Sequence, residues 1–350
     1  MTCQQKFFSE RTFDNAFVAT ISSDGIKRTE TWVPNGPRGG VAEKRMMSHD
    51  PRVAAFEGER ARMLRLAYRM LGSVSDAEDV VQDAWLRWNR AEGSVEFPVT
   101  YLTRVVTRLC IDRQKSARAR RESYVGPWLP DPLLGSVEPD EMIADDVTVT
   151  LMLAMERLSP LERAAFLLHD VFEVALPEVA AALDREPATV RQLASRARKH
   201  VRSARKRFSV EKTEADRLAR AFFKAANDGD IDQLSLMLAK DVEIHSDGGG
   251  KVIAFLHVVR GIDRALRLFA GLRLKGEAPP ALIRTALING LPGFVSLDRA
   301  GLVQTTALDV RDGTISAIYI VRNPDKLGHI SNACHPSNPI GRSGGNGRIL

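Results

Sequence analysis

The stretch "ATVRQLASRARKHVRSARKRF", residues 188–208, holds eight Arg or Lys residues in twenty-one positions and no Asp or Glu. Within it Val190, Leu193, Ala194, Ala197 and Val201 recur at i, i+3, i+4, i+7 and i+11. That is the spacing of one face of a 3.6-residue helix. One face is therefore anchored in a core while the other is almost purely cationic. A charge run of mixed sign is ordinarily a solvated surface. A single-signed run on an anchored helix points to a polyanion.

The residues before it strengthen that reading. "SPLE" at 159–162 is a capping box with proline at N1. "LPEVAAAL" at 176–183, a break at "DREP" and the basic helix then form a helix-turn-helix pattern. In such a motif the second helix enters the major groove with its early residues toward base edges. Those residues are Thr189, Arg191, Gln192, Ser195 and Arg196; Arg can pair with guanine and Gln with adenine. Arg198, Lys199 and Arg202 carry the charge on toward the DNA backbone. Asp184 stands in the turn, where many such motifs have Gly, and Asp is among the few other residues that visit the left-handed conformation.

The 350 residues suffice for two or three domains with real cores. The apolar fraction of 44% and the net charge of +6 are ordinary for a globular chain, so the placement of charge informs more than its total. Cys3, Cys110 and Cys334 lie far apart, with no Cys-x-x-Cys spacing. That argues for a reducing compartment and against a disulfide framework or a zinc site. No metal or cofactor is expected. The apolar runs fall well short of the roughly 18 residues of a membrane span, and the first thirty residues lack a signal-peptide h-region. The expectation is a cytoplasmic protein that does not engage a membrane. Residues 1–47 are polar and aperiodic, with "PNGPRGG" at 34–40. Two readings stay open: a flexible N-terminal arm, or a true translation start at Met46 or Met47.

From 52 to 122 the pattern is helical. "SDAEDVVQDAWLRW" opens with Ser75 as expected N-cap and Glu78 at N3. Its apolar stripe includes Trp85 and Trp88, a placement that favours core packing. Its other face carries Asp76, Glu78, Asp79, Gln82 and Asp83. A further helix buries Leu102, Val105, Val106, Leu109 and Cys110 and is expected to expose Arg104, Arg108, Arg113, Lys115, Arg118, Arg120 and Arg121. Residues 123–147 contain four prolines, six acidic residues and no Lys or Arg. They read as an acidic linker, partly polyproline II near "PWLPDP". After about 213 the period changes. A helix spans 214–227, "DVEIHS" alternates, and "LVQTTALDVRDGTISAIYIV" reads as two strands around Asp312-Gly313. An α+β domain over 214–325 follows, then a Gly- and Ser-rich tail, 326–350, expected to be flexible.

Several of these segments together resemble one family. "RLAYRMLGSVSDAEDVVQDAWLRW" is similar to region 2 of a bacterial extracytoplasmic-function (ECF) RNA polymerase sigma factor, and "YLTRVVTRLCIDRQKSARARRE" to its continuation. Residues 157–202 resemble region 4. "PWLPDP", "RQLASRARKHV", "DGGGK" at 247–251 and "NPDKL" at 323–327 resemble the sigma-J-like subgroup, which carries a fused SnoaL-like C-terminal domain. The resemblance implies a multidomain fold: an all-α region 2 bundle over 52–122, an all-α region 4 over 148–210, then an α+β cone-shaped barrel of ketosteroid-isomerase type. It implies that Asp76, Glu78, Asp79, Gln82 and Asp83 meet core RNA polymerase. Arg104, Arg108, Arg113 and Lys115 would hold the −10 strand, whose unstacked bases are the readable ones. Thr189, Arg191, Gln192, Ser195, Arg196, Arg198 and Lys199 would read promoter DNA at −35. The acidic linker would lie in the RNA exit path.

For the C-terminal domain, His245, Asp247, Asp298 and Asp309 are the acid/base candidates, but the fold alone says nothing about chemistry. His245 reads better as a strand-surface or satisfied core histidine than as a catalyst. The resemblance implies a regulatory role in cis, without need of a separate anti-sigma factor. Trp128, Leu129 and Pro130 of the linker would face Asp247, Gly248, Gly249, Gly250 and Lys251, whose glycines permit close backbone approach. A small-molecule ligand in the C-terminal domain could bias that contact. The expected function is that of a non-catalytic sigma factor. The alternatives are a bifunctional protein with isomerase- or hydrolase-type activity, or a plain helix-turn-helix regulator.

Overall fold

Pro51 opens the first helix, a position where its missing N–H costs nothing. α1 (Pro51–Leu71), α2 (Val74–Arg90) and α3 (Pro98–Glu122) form the first helical group. The computed structural model describes residues 50–91, 95–135, 148–202, 212–273 and 279–334, without the side chains of 117–120, 212, 273 and 331–334. The N-terminal segment with Met46 and Met47, the linker beyond 135 and the tail beyond 334 lie outside the described residues.

The cap of α2 is Ser73, not Ser75: the Ser73 hydroxyl accepts from the Asp76 N–H. Gly72 ends α1 at φ 71°, which leaves Ser73 as the extended residue a cap requires. Ser75 already lies in the first turn, its hydroxyl 3.1 Å from that of Ser73. Trp88 is buried and donates its indole N–H to the Arg52 carbonyl, so both tryptophans serve the core, Trp85 packing edge-on to Phe56.

The second group comprises α4 (Val149–Met155), α5 (Pro160–Phe166), a π-helical turn (Leu167–Val171), α6 (Leu176–Leu183) and α7 (Pro187–Val201). Ser159 and Glu162 form the capping box that their spacing predicts. Asp184 adopts φ 55°, ψ 53° between α6 and α7, so the helix-turn-helix turn is made with Asp. The two groups do not have separate cores. Met63, Leu66, Val80, Val81 and Trp88 belong to the same apolar cluster as Phe166, Leu167, Val179, Val190 and Ala197.

The C-terminal α+β domain begins with α8 (Lys212–Asp228) and α9 (Ile231–Met237). β1 (Leu238–Asp247), β2 (Val259–Arg260), α10 (Ile262–Arg273), β3 (Ala281–Ile288), β4 (Leu291–Leu297), β5 (Val303–Arg311) and β6 (Thr314–Val321) follow. The sheet order is β2-β1-β6-β5-β4-β3, with β1 and β6 parallel and the other pairs antiparallel. Asn289-Gly290 turns the β3–β4 hairpin and Asp312-Gly313 the β5–β6 hairpin, each with positive φ at both positions, the backbone of a type I′ turn.

Strand alternation gives the sheet two apolar faces. Phe294, Leu308, Ile318 and Ile244 meet Phe222 and Phe269 of α8 and α10. Val295, Ala307, Ala317, Tyr319 and Val321 point the other way. They are covered by Leu129 of the linker, Val149 of α4, and Leu327 and Ile330 of α11 (Pro324–Cys334). Two expectations change here. The tail does not loosen at 326, because α11 needs Lys326, Leu327 and Ile330 inside. The first half of the linker, through Gly135, is not a free spacer, because Leu129, Pro130, Asp131 and Pro132 are all buried.

Candidate functional site

The three short motifs converge on one carboxylate. Asp247 ends β1 wholly buried and accepts from the Tyr124 hydroxyl at 2.5 Å, the Leu129 N–H at 2.9 Å and the Gly249 N–H at 3.1 Å. The Lys326 ammonium approaches it at 2.8 Å and also donates to the Leu129 carbonyl. Asn323 donates its amide N–H to the Tyr124 oxygen at 2.8 Å, and Lys251 pairs with Asp325. "WLPDP", "DGGGK" and "NPDKL" thus share one polar junction, sealed by apolar side chains. Burial lowers the Lys326 pKa against the pull of Asp247, and burial with the Asp247 bond raises that of Tyr124. Buried charges need such full partnering.

Two cations pack against Trp128, the Arg121 guanidinium 3.8 Å and the Lys326 ammonium 4.5 Å from its ring. Arg121 is therefore not an exposed basic residue of α3. It pairs with Glu156 and donates to the Leu71 carbonyl. Glu156 also binds the buried Arg163 at 2.5 Å, which donates to the Met70 carbonyl at 2.8 Å. These bonds tie the first helical group to the second. Arg118 and Arg120 have side chains outside the described residues.

The other predicted side chains sort into open and engaged. On α7, Thr189, Arg191, Gln192, Ser195, Arg196 and Lys199 are exposed along one face. Arg198 instead gives its Nε–H to Asp170 at 2.7 Å, which withdraws it from that open row. On α2, Glu78, Asp79, Gln82 and Asp83 are exposed, and Asp76 is half-buried. On α3, Arg104 is exposed and Lys115 sits near Asp112 at 3.7 Å. Arg108 lies 3.7 Å from Asp184 of the helix-turn-helix turn. Arg113 bridges Asp76 at 3.0 Å and Asp79 at 2.5 Å, so residues assigned to two different interfaces are joined here to each other.

A cleft of about 700 Å³ opens where α4 and the end of α7 face the sheet. Arg157, His200, Asp241, His245, Arg311 and Tyr319 are among its lining residues. His245 is hydrogen-bonded to Glu243 at 3.2 Å and lies 5.1 Å from the Tyr319 ring. Burial holds its pKa below the usual imidazole range, against the pull of Glu243, and burial pushes Tyr319 up to about 12. Asp309 accepts from Thr150 at 2.9 Å and Arg311 at 2.8 Å, while Asp298 is tied to Arg322. Of the four acid/base candidates only His245 lines the cleft. Among the described residues no group of His, Cys, Asp and Glu is placed to hold a metal ion. No described helix is long and apolar enough to cross a membrane.

Residues 55–120 match the Sigma-70 region 2 family and residues 148–201 the Sigma-70, region 4 family. Over 290 residues the chain is 38% identical to the ECF RNA polymerase sigma factor SigJ of Mycobacterium tuberculosis, covering 79% of this chain and 93% of SigJ. The chain belongs to the extracytoplasmic-function sigma factors. SigI of the same species is 34% identical over 289 residues, 81% of this chain and 97% of SigI. The crystal structure of M. tuberculosis SigJ matches with a TM-score of 0.64 at 34% identity, covering 82% of this chain and 100% of that one. In this ECF factor the region 4 match begins at Thr148, the residue whose side chain caps α4. The junction at Asp247 thus joins the α+β domain to the segment between the two sigma regions.

Four of the residues that hold the α+β domain to the linker and to the first helical group carry little signal in the sequence. Tyr124 and Lys326 flank or sit inside motifs quoted for the resemblance, yet nothing local shows that they meet. Tyr68 and Asn289 are 221 residues apart. "NG" predicts the turn at Asn289 but not what its amide touches.

Proposed function

We propose that this sigma factor directs promoter-specific transcription initiation as a dissociable subunit of core RNA polymerase, and that its α+β domain regulates it in cis. The observation that carries the regulatory half is the buried Asp247–Lys326–Tyr124–Leu129 junction. It anchors the α+β domain on the linker between the two DNA-reading regions. The open face of α7 reads the −35 element, with Arg191 and Gln192 toward base edges and Lys199 toward phosphate. Arg104, Arg108, Arg113 and Lys115 of α3 hold the −10 strand. The acidic face of α2 docks on polymerase. For α2 and α3 to act, Arg113 must leave Asp76 and Asp79. The arrangement seen is thus a resting one, and it works in the cytoplasm without a separate anti-sigma factor.

SigJ and SigI, to which the chain is similar, are sigma factors, and the proposed role of the α+β domain is binding rather than catalysis. A ligand in the cleft would touch α4 and α7 on one wall and the sheet on the other. It would shift the resting arrangement only if it bound one arrangement better than another.

Co-elution of the full chain with core polymerase tests the sigma assignment, and Glu78→Lys/Asp83→Lys tests the docking face. Binding by the native chain and its loss in the double variant are expected. Retained binding would remove α2 from the interface. Transcription by Asp247→Asn tests the regulation: unchanged output at unchanged stability would take the α+β domain out of the account.

A further inference from the structure

We infer that the tip of the β3–β4 hairpin is a latch that fixes the linker on sigma region 2, with Asn289 as the residue that closes it. The linker meets the sheet there as a short added strand. Leu134 bridges antiparallel to Ile288, and the Gly135 N–H donates to the Leu287 carbonyl at 2.8 Å. β3 is an outer strand of the sheet, so the linker covers one end of an edge that would otherwise present unpaired backbone groups.

Asn289 makes four hydrogen bonds at this point. Its Oδ1 accepts from the Leu133 N–H at 2.6 Å, and its own N–H donates to the Leu133 carbonyl at 2.8 Å. Its amide nitrogen donates to the Tyr68 hydroxyl oxygen at 3.1 Å and to the Asp131 carbonyl at 3.2 Å. The Tyr68 hydroxyl in turn donates to the same Asp131 carbonyl at 2.6 Å. All three residues are buried, Asn289 at 2%, Tyr68 at 5% and Asp131 at 7% exposure. The position makes two demands. The turn needs φ of 45°, which narrows the choice to Gly, Asn and Asp. The buried partners need one acceptor and two donors on the side chain, which only Asn of those three supplies.

Asp131 passes the contact on to region 2. Its N–H donates to the Gly72 carbonyl at 2.9 Å, and its carboxylate accepts the Val74 N–H at 2.8 Å. The first turn of α2 is therefore capped from the linker, and the linker residue that caps it is gripped from the α+β domain. A hairpin tip more than two hundred residues downstream positions the start of the helix assigned to polymerase docking. That consequence rests on the docking assignment above; the latch itself does not.

Amide hydrogen exchange in the full chain tests it. Asn289→Gly keeps the positive φ and removes only the amide, and Tyr68→Phe removes only the hydroxyl. Each variant is expected to speed exchange at Val74 and Leu133 by about tenfold, the usual scale for an unpaired buried partner. Exchange in α5 to α7 should be unchanged. The double variant should exchange no faster than the more affected single one, since both act through one contact. Unchanged exchange at Val74 in Asn289→Gly would overturn the latch, as would additive effects or a uniform loosening of the chain. The co-elution experiment decides separately whether α2 meets polymerase.

Discussion

Lys326 and Asp247 form an ion pair at 2.8 Å in the interior, the carboxylate side chain at 0% and the ammonium side chain at 9% exposure. The two ends of the pair are not equally supported. Asp247 has three further donors, whereas Lys326 has the Leu129 carbonyl and the ring faces of Trp128 and Tyr124. Asp247→Ala should therefore destabilise by about 3–5 kcal/mol, because it leaves an ammonium buried beside one carbonyl. Lys326→Met should cost less, and the double variant less than the sum of the two. Urea unfolding of the three variants checks the order. If Lys326→Met is the worst, the support around the carboxylate has been misjudged.

Gly72 sits against Cη2 of the Trp128 ring. A Cβ at Gly72 would lie 2.5 Å from Trp128 Cη2, and the residue's φ is 71°. Arg121 and Lys326 both pack against the Trp128 ring, which opposes its swinging aside. Gly72→Ala should cost about 1–3 kcal/mol and shift the tryptophan emission. Gly301→Ala is the control: φ is 76° there, with nothing within 4 Å, so it meets the backbone cost without the clash. Equal losses in the two variants would mean that Trp128 does not occupy this place in solution.

What the sequence shows of this architecture follows from how local each signal is. The capping box at Ser159, the turn at Asp184 and the hairpin at Asp312-Gly313 involve residues within a few positions of each other, and they stand where their spacing puts them. The linker misleads for the opposite reason. Proline and acidic residues usually mark solvated chain, but here the Asp131 N–H finds Gly72 and the Leu129 N–H finds Asp247, across 59 and 118 positions. Arg121 misleads in the same way. It ends a row of arginines, and Glu156, Trp128 and the Leu71 carbonyl, supplied by other segments, turn it inward. The open row on α7 is legible because a single-signed exposed face is a property of the helix alone.

His245 should make stability fall on mild acidification. Its folded pKa is depressed by burial, so the unfolded chain takes up the proton first as pH falls. The contribution is complete above about pH 6.5 and is lost as pH drops through the folded pKa. Glu243 and Arg260 face the imidazole on its own side, Tyr319 stacks near it from β6, and Arg157 and His200 line the same cleft. Asp131, whose pKa burial raises, acts in the opposite sense, so the useful comparison is between variants. The melting temperature of His245→Gln should change less than that of the native chain between about pH 7.5 and 5.5. Equal slopes would place the acid sensitivity elsewhere.

The helix proposed to read the −35 element, α7, gives three distinguishable outcomes from three cations on one element. Arg191 is exposed near the start of α7, where base edges are reached. Arg191→Ala should cost about 1–3 kcal/mol at one −35 base pair and relax selectivity there. Lys199 is exposed just over two turns on, and Lys199→Ala should weaken all sequences alike, lowering the salt slope by about one unit. Arg198 is spent on Asp170, whose side chain is only 9% exposed. Arg198→Ala should therefore act on the fold first, removing a partner of a nearly buried carboxylate in the π-helical turn before α6. Its loss of DNA affinity should track its loss of stability and be restored by lowering the temperature. A salt-dependent affinity loss in Arg198→Ala at unchanged stability would return that residue to the DNA-facing row. It would also show that the Asp170 pair opens when α7 meets DNA.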